Sequence, residues 1–249
     1  MPNHVRNRIV IDATGARLKQ IKKEIALNEV AICYICDSNG KHHGKQCFNC
    51  QGAKRYKRDD FGPGTIDFEK IVPPPDNLFR WGLGDEERQY CQENNIPNWY
   101  EWNIANWGTK WNAFDFDSED GDNRLEFSTA WSAPQGIFRG LSEKYPDVQF
   151  TTEWADEDWG YNAGALIWKN GESELSDLGE IEHYSDEARG LVADLWGLDY
   201  DDPELDECFA PLDLPDAGVN GEGPIVVEQH TRTTKDGKKT PVKQHTRKR

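Results

Sequence analysis

The chain contains no uninterrupted apolar run approaching the roughly 18 residues of a membrane-spanning helix. Its first residues also lack the apolar stretch of a secretory signal peptide. Both absences predict a soluble, cytoplasmic protein with no membrane partner. Enzyme signatures are missing as well: there is no GxxxxGK[ST] loop, GxGxxG, GxSxG or HExxH. Aliphatic residues are sparse, since all apolar types together make up 36% of 249 residues. Aromatics compensate: ten Trp, eight Tyr and ten Phe bury large areas per residue and exclude wholesale disorder.

Basic residues are scarce overall and unevenly placed. Residues 1–58 carry 12 basic and 4 acidic side chains (net +8), 59–224 carry 9 and 39 (net −30), and 225–249 carry 8 and 2 (net +6). Two basic ends flank an acidic middle. Such blocks serve solubility, or they form a field that attracts basic proteins and repels nucleic acid.

Four cysteines, Cys33, Cys36, Cys47 and Cys50, form CxxC-x10-CxxC. Two knuckles of this spacing let paired thiolates converge on one tetrahedral ion, which predicts a structural Zn2+ in a zinc-ribbon insertion. A closed four-thiolate set leaves no coordination position for water, so catalysis at this ion is not expected. A disulfide pair or an iron–sulfur cluster is the alternative, and His42 or His43 could replace a thiolate. The second knuckle, CFNCQG, resembles half of the repeat in the cysteine-rich domain of DnaJ-type chaperones, which implies knuckle geometry and not chaperone activity. Cys91 and Cys208 lack partner motifs and read as buried small residues. Around the knuckles, Lys41, Lys45, Lys54, Arg55, Lys57 and Arg58 with Tyr56 make a basic, aromatic-bearing loop able to touch phosphate.

Periodicity organises the rest. Val5, Ile9 and Ile11 alternate as a strand over His4–Asp12. Leu18, Ile21, Ile25 and Leu27 stripe a helix opening near Thr14, with Lys19, Lys22, Lys23 and Glu24 on its wet side. A second strand is expected over Gly64–Ile71, stopped by Pro73–Pro75. A helix near Glu86–Cys91 and a tryptophan-dense block, 96–117, precede a strand over Arg124–Ala133, a helix over Ile137–Tyr145, and strands at Val148–Trp154 and Ala163–Lys169. That β-α-β, helical excursion, β-α-β-β order predicts an α+β ferredoxin-like split βαβ sandwich: an antiparallel sheet with helices on one face.

MPNHVRNRI, FEKIVPPP, WYEWNIANWGTKWNAFDF and FSTAWSAP followed by LSEKYPDV together resemble the YubB-like ferredoxin-fold proteins of plasmids, phages and genomic islands. The resemblance covers residues 1–32 and 56–170, and implies the fold and a mobile-element origin in a bacterial host. It implies no catalytic residues and no iron–sulfur cluster. The cysteine segment departs from the family pattern as an insertion. The expected organisation is therefore 1–32 and 59–170 as the ferredoxin-like domain, 33–58 as the zinc ribbon, 171–222 as an acidic extension and 223–249 as a basic, disordered tail. Within the extension, Leu191, Val192, Leu195 and Trp196 could anchor a helix.

Two further positions bear on chemistry. His183 and Tyr184 lie among acids, which usually means a solvated histidine, and Pro2 is a conceivable amine nucleophile with no convergent partner. The expected function is a non-catalytic, zinc-containing binding protein. Its acidic surface, with Asp199, Asp201, Asp202, Glu204, Asp206 and Glu207 as contacts, would engage a basic protein such as a host nucleic-acid-processing or defence factor. Direct nucleic-acid binding through the ribbon and tail is the competing expectation, and an enzyme with an unrecognised site is the third.

Overall fold

The computed structural model describes residues 3–33, 41–42, 45–47, 50–117, 122–209, 231–233 and 239–241, of which 41–42, 231–233 and 239–241 by backbone alone. Residues 1–210 form one compact unit and 211–249 another. In chain order the first unit holds β1 (His4–Ile11), α1 (Gly15–Ile25) and four short strands: β2 (Val30–Ile32), β3 (Lys41–His42), β4 (Lys45–Gln46) and β5 (Arg55–Lys57). After a 3-10 turn at Phe68–Lys70 come α2 (Asp85–Glu93), α3 (Trp99–Asn106), β6 (Arg124–Ala130) and α4 (Gln135–Lys144). It closes with β7 (Phe150–Asp156), β8 (Gly164–Lys169), β9 (Glu172–Leu175), α5 (Asp186–Trp196) and α6 (Pro203–Phe209).

Five strands make one sheet in the order β6-β1-β7-β8-β9, every pair antiparallel. Both β6 and β7 run against β1, so β6-α4-β7 is a crossover with β1 lodged between its strands, the split βαβ unit. The register sets His4 opposite Ala130 on one side and Val5 opposite Asp156 on the other. The fold is thus α+β and ferredoxin-like.

Alternation in β1 decides which helices cover which face. Val5, Ile9 and Ile11 are fully buried with the α1 stripe Leu18, Ile21 and Ile25 and the α4 stripe Ile137, Phe138 and Leu141. Phe68, Trp107 and Phe127 complete this core, Phe68 meeting the other two rings edge-on at 5.7 and 5.9 Å. Gly136 admits α4 to this packing, because a Cβ there would fall 1.9 Å from the carbonyl oxygen of Asn106. On the opposite face, α5 buries Leu191, Val192 and Leu195 with Ala155 and Leu205. The helix expected on these residues is therefore present and docked.

Arg8 fastens this second layer. Only 8% exposed, it donates Nε to Glu126 on β6 at 2.7 Å and Nη1 to Glu153 on β7 at 3.1 Å, and it also pairs with Asp194 on α5. Its guanidinium is held well above its usual pKa: burial opposes the charge, but hydrogen bonds and fields from Asp194 and Glu126 outweigh it.

Several expectations are corrected. Gly64–Ile71 is not a strand. Ile66 and Phe68 are buried, but Asn112 Oδ1 accepts the Phe68 N–H and Asp67 caps Glu69, so side chains satisfy the backbone that a neighbouring strand would otherwise pair. Lys22 is not on the wet side; it is 2% exposed and its ammonium donates to the carbonyl of Asp122. The strand expected through Ala133 ends at Ala130, where Trp131 takes φ 72° and turns the chain. β9 follows the Asn170-Gly171 turn, whose positive φ values of 50° and 84° suit a tight hairpin. Cys91 is buried, whereas Cys208 is exposed on α6.

In the second unit, within the segment expected as a structureless tail, β10 (Thr231–Thr233) pairs with β11 (Lys239–Pro241). Threonine-rich strands around an Asp236-Gly237 dipeptide are a hairpin sequence. Among the described residues, no helix is long and apolar enough to cross a membrane.

Candidate metal centre and adjoining cleft

β2 pairs with β5, Val30 opposite Lys57, so the cysteine segment leaves and re-enters the fold through one two-stranded stem. Cys33 follows β2 directly and extends the stem, its N–H donating to the Lys54 carbonyl at 3.0 Å. Cys47 follows β4, which pairs with β3. The Gln51 N–H returns to the Cys47 carbonyl at 2.8 Å, and Ala53 N–H to that of Cys50 at 2.8 Å, with Gln51, Gly52 and Lys54 all at positive φ. Those turns fold the second knuckle back toward Cys33.

As a result the Sγ atoms of Cys33, Cys47 and Cys50, all buried, lie within 4.8 Å of one another, and Cys33 and Cys47 are 3.8 Å apart. Thiolates about 2.3 Å from a tetrahedral ion stand about 3.8 Å from each other, whereas a disulfide needs about 2.05 Å. The cluster therefore has the donor chemistry and spacing to hold a metal ion. Cys36 lies outside the described residues, as do His43 and the side chains of Lys41 and His42. Pro2 lies outside them too.

Tyr56 on β5 packs against the three cysteines, and the Arg58 guanidinium stands 5.9 Å from its ring. Of the expected phosphate-facing residues, Lys45, Lys54, Arg55 and Lys57 are exposed and Arg58 is half-buried. Lys57 is engaged by Glu29 at 2.6 Å, a hydrogen bond that raises its pKa.

A cleft of about 500 Å³ opens between the β2–β5 stem and the tryptophan-rich segment. Arg55, Tyr56 and Arg58 line one side; Trp99, Asn103 and Trp111 line the other. Sequence reasoning saw both stretches but not that they face each other. Asn103 is 5% exposed; its Nδ2 donates to the Lys110 carbonyl at 2.9 Å, while its Oδ1 has no hydrogen-bond partner among the described residues. Nearby, the Lys110 ammonium sits 4.5 Å from the Trp131 ring centre and 4.8 Å from that of Trp111.

The acidic residues divide by role. Asp202 caps α6 by accepting the Glu204 N–H at 2.8 Å, and Asp206 pairs with Arg189. Asp199, Asp201, Glu204 and Glu207 are exposed. His183 is exposed and meets Tyr161 edge-on at 5.2 Å, while burial and Tyr161 push the neighbouring Tyr184 phenol well above its usual pKa.

Fold and site together define a ferredoxin-like α+β protein with a cysteine cluster that can hold a metal, carried on a stem beside the domain. The family model described as the ferredoxin-like domain in Api92-like protein matches residues 106–199, from the end of α3 through α5. The chain is similar to that family over the split βαβ unit and its docked helix, and the cysteine segment lies outside the match. No curated protein and no solved structure matches the chain.

Proposed function

We propose that the protein is a non-catalytic, zinc-containing binding protein of a mobile genetic element that engages a basic protein partner through the acidic face of α5 and α6. The carrying observation is one of charge on an ordered element. Residues 171–209 contain 14 acidic side chains and a single basic one, Arg189, which is already committed to Asp206 and the Tyr200 carbonyl. α5 is anchored by its apolar stripe and Arg8, so Asp199, Asp201, Glu204 and Glu207 form an exposed acidic field with only Arg189 as a nearby cation among the described residues. Host proteins that handle or defend against nucleic acid present basic surfaces, and such a field can occupy them in place of phosphate. Zinc held by Cys33, Cys36, Cys47 and Cys50 has a closed thiolate shell; its role is to hold the stem together.

The test compares the wild-type chain with a variant in which Asp199, Asp201, Glu204 and Glu207 are changed to Lys. A basic host protein captured by the wild type should be displaced by duplex DNA and should associate at least tenfold more slowly with the variant, as exposed charges steer encounter. Duplex DNA itself should bind the protein weakly. Tight, salt-sensitive duplex binding abolished by neutralising Lys54, Arg55, Lys57 and Arg58 would overturn the reading in favour of direct nucleic-acid recognition.

A further inference from the structure

We propose that the cleft between the β2–β5 stem and the tryptophan-rich segment is a nucleotide subsite. It would take a base bearing an exocyclic amine against Asn103 and a phosphate at Arg55 and Arg58. Three independent observations converge on this ligand chemistry.

The first is the Asn103 acceptor. A buried carbonyl oxygen without a hydrogen bond is rare in folded proteins, and each instance needs an explanation. The amide cannot be turned to hide it, because its nitrogen is required by the Lys110 carbonyl, which only a donor can satisfy. What Asn103 Oδ1 lacks among the described residues is an incoming donor, which an exocyclic amine supplies, and Asn103 lines the cleft.

The second is charge. Arg55, Arg58 and Arg80 line the cleft against Asp67 and Glu69. Arg80 is paired with Glu69 at 2.6 Å, and Asp67 is engaged by Asn112 at 2.8 Å. Arg55 and Arg58 have no ion-pair partner among the described residues, in a chain whose net charge is −16. Guanidiniums that line a cleft with no carboxylate partner among the described residues suit phosphate, which they can grip with two parallel hydrogen bonds.

The third is the π surface. Tyr56, Trp99 and Trp111 are half-buried around the cleft, and the indole N–H of Trp99 is already spent on the Trp81 carbonyl, leaving its ring to act as an apolar face. Stacking on such rings accepts any base. A volume near 500 Å³ is within the range of small-molecule sites. A planar ring, an amine donor and an anion occur together in a nucleotide, either free or as one unit of a single strand. A base paired within a duplex has no free ring face to stack, so mononucleotide and single-strand titrations test this subsite, which shares Arg55 and Arg58, but not the acidic face, with the duplex test above.

The experiment is calorimetric titration of the metal-loaded full chain with adenosine monophosphate, with purine riboside 5′-monophosphate, which lacks only the exocyclic amine, and with a short single-stranded oligoadenylate. Heat from the mononucleotide identifies a free-nucleotide site; heat from the oligonucleotide alone identifies a strand unit. Either upholds the subsite, provided the amine and the arginines matter. Removing the amine, in whichever form binds, should weaken affinity on the order of tenfold, and Arg55→Gln with Arg58→Gln by tenfold or more. Both arginines lie outside the core, so unchanged circular dichroism separates lost binding from lost fold. Absence of binding by both the mononucleotide and the oligonucleotide at millimolar concentration, equal affinity without the amine, or wild-type affinity in the arginine variant would each overturn the proposal.

Discussion

Replacing Arg8 with methionine removes a cation that β6, β7 and α5 all share. The guanidinium is 9% exposed, and its partners Glu126 and Glu153 are 18% and 21% exposed, so both hydrogen bonds are largely shielded from water. Each such charge-assisted bond contributes about 1.5–3 kcal/mol. Asp194 is 63% exposed, and its share falls to about 0–1 kcal/mol through solvent screening. The contributions do not simply add, because the Arg8→Met change would leave the carboxylates of Glu126 and Glu153 side by side in a shielded site without the guanidinium between them. The expected loss is about 3–5 kcal/mol, the range for breaking a buried pair by deleting one partner. Against a total stability of about 5–15 kcal/mol this is a large fraction. Urea denaturation followed by tryptophan fluorescence measures it. A triple variant, Arg8→Met with Glu126→Gln and Glu153→Gln, should recover most of the loss, since the one carboxylate that then keeps its charge without Arg8, Asp194, is largely exposed. A loss below about 1 kcal/mol for Arg8→Met, or a triple variant as unstable as the single one, would refute the reasoning.

Protein purified without added metal should contain close to one zinc ion per chain by mass spectrometry. Cys47→Ser should lose it and speed hydrogen exchange over residues 33–58, while the near-ultraviolet spectrum of the core is preserved; bound iron or oxidised cysteines would contradict this. Asp156 is 5% exposed, and burial raises its pKa above the usual carboxylate range despite hydrogen bonds from Asn162, Asn3 and the Asp158 N–H. The folded state therefore holds its proton more tightly than the unfolded one, and ionisation penalises the fold as pH rises through that raised value. The melting-temperature difference between Asp156→Asn and wild type should shift in favour of the wild type on going from about pH 7 to about pH 4, and a pH-independent difference would exclude this role.

What the sequence displayed locally, the structure keeps. Period-two burial of Val5, Ile9 and Ile11 and the Leu18–Ile21–Ile25 stripe are short-range signals, and both lie where expected. The knuckle spacing likewise announced converging thiols. The errors come from partners distant in the chain. Alternation at Ile66 and Phe68 looks the same whether a strand or a capped turn buries them, and Asn112, which decides the matter, is 44 residues from Phe68. Lys22 looked solvated because nothing nearby in sequence supplies the Asp122 carbonyl. Arg8 gathers carboxylates 118, 145 and 186 residues away, which no periodicity encodes. The cleft was invisible for the same reason: its basic wall and its aromatic wall are each legible, but their apposition is tertiary.

The place of β1 between β6 and β7 has a consequence for synthesis of the chain. β6 begins 113 residues after β1 ends. At translation rates of about 5–20 residues per second, the strand therefore waits roughly 5–25 s on the ribosome before its first sheet partner begins to appear. Helix α1, by contrast, draws its backbone hydrogen bonds from its own residues. During that interval Val5, Ile9 and Ile11 form an apolar edge without a mate, the kind of segment that pairs with other nascent chains. Arg6 and Arg8, alternating with those residues, put positive charge on the same strand throughout the wait. The arginine that holds three elements together in the folded chain thus also keeps charge on the strand while it is unpaired, which opposes such pairing.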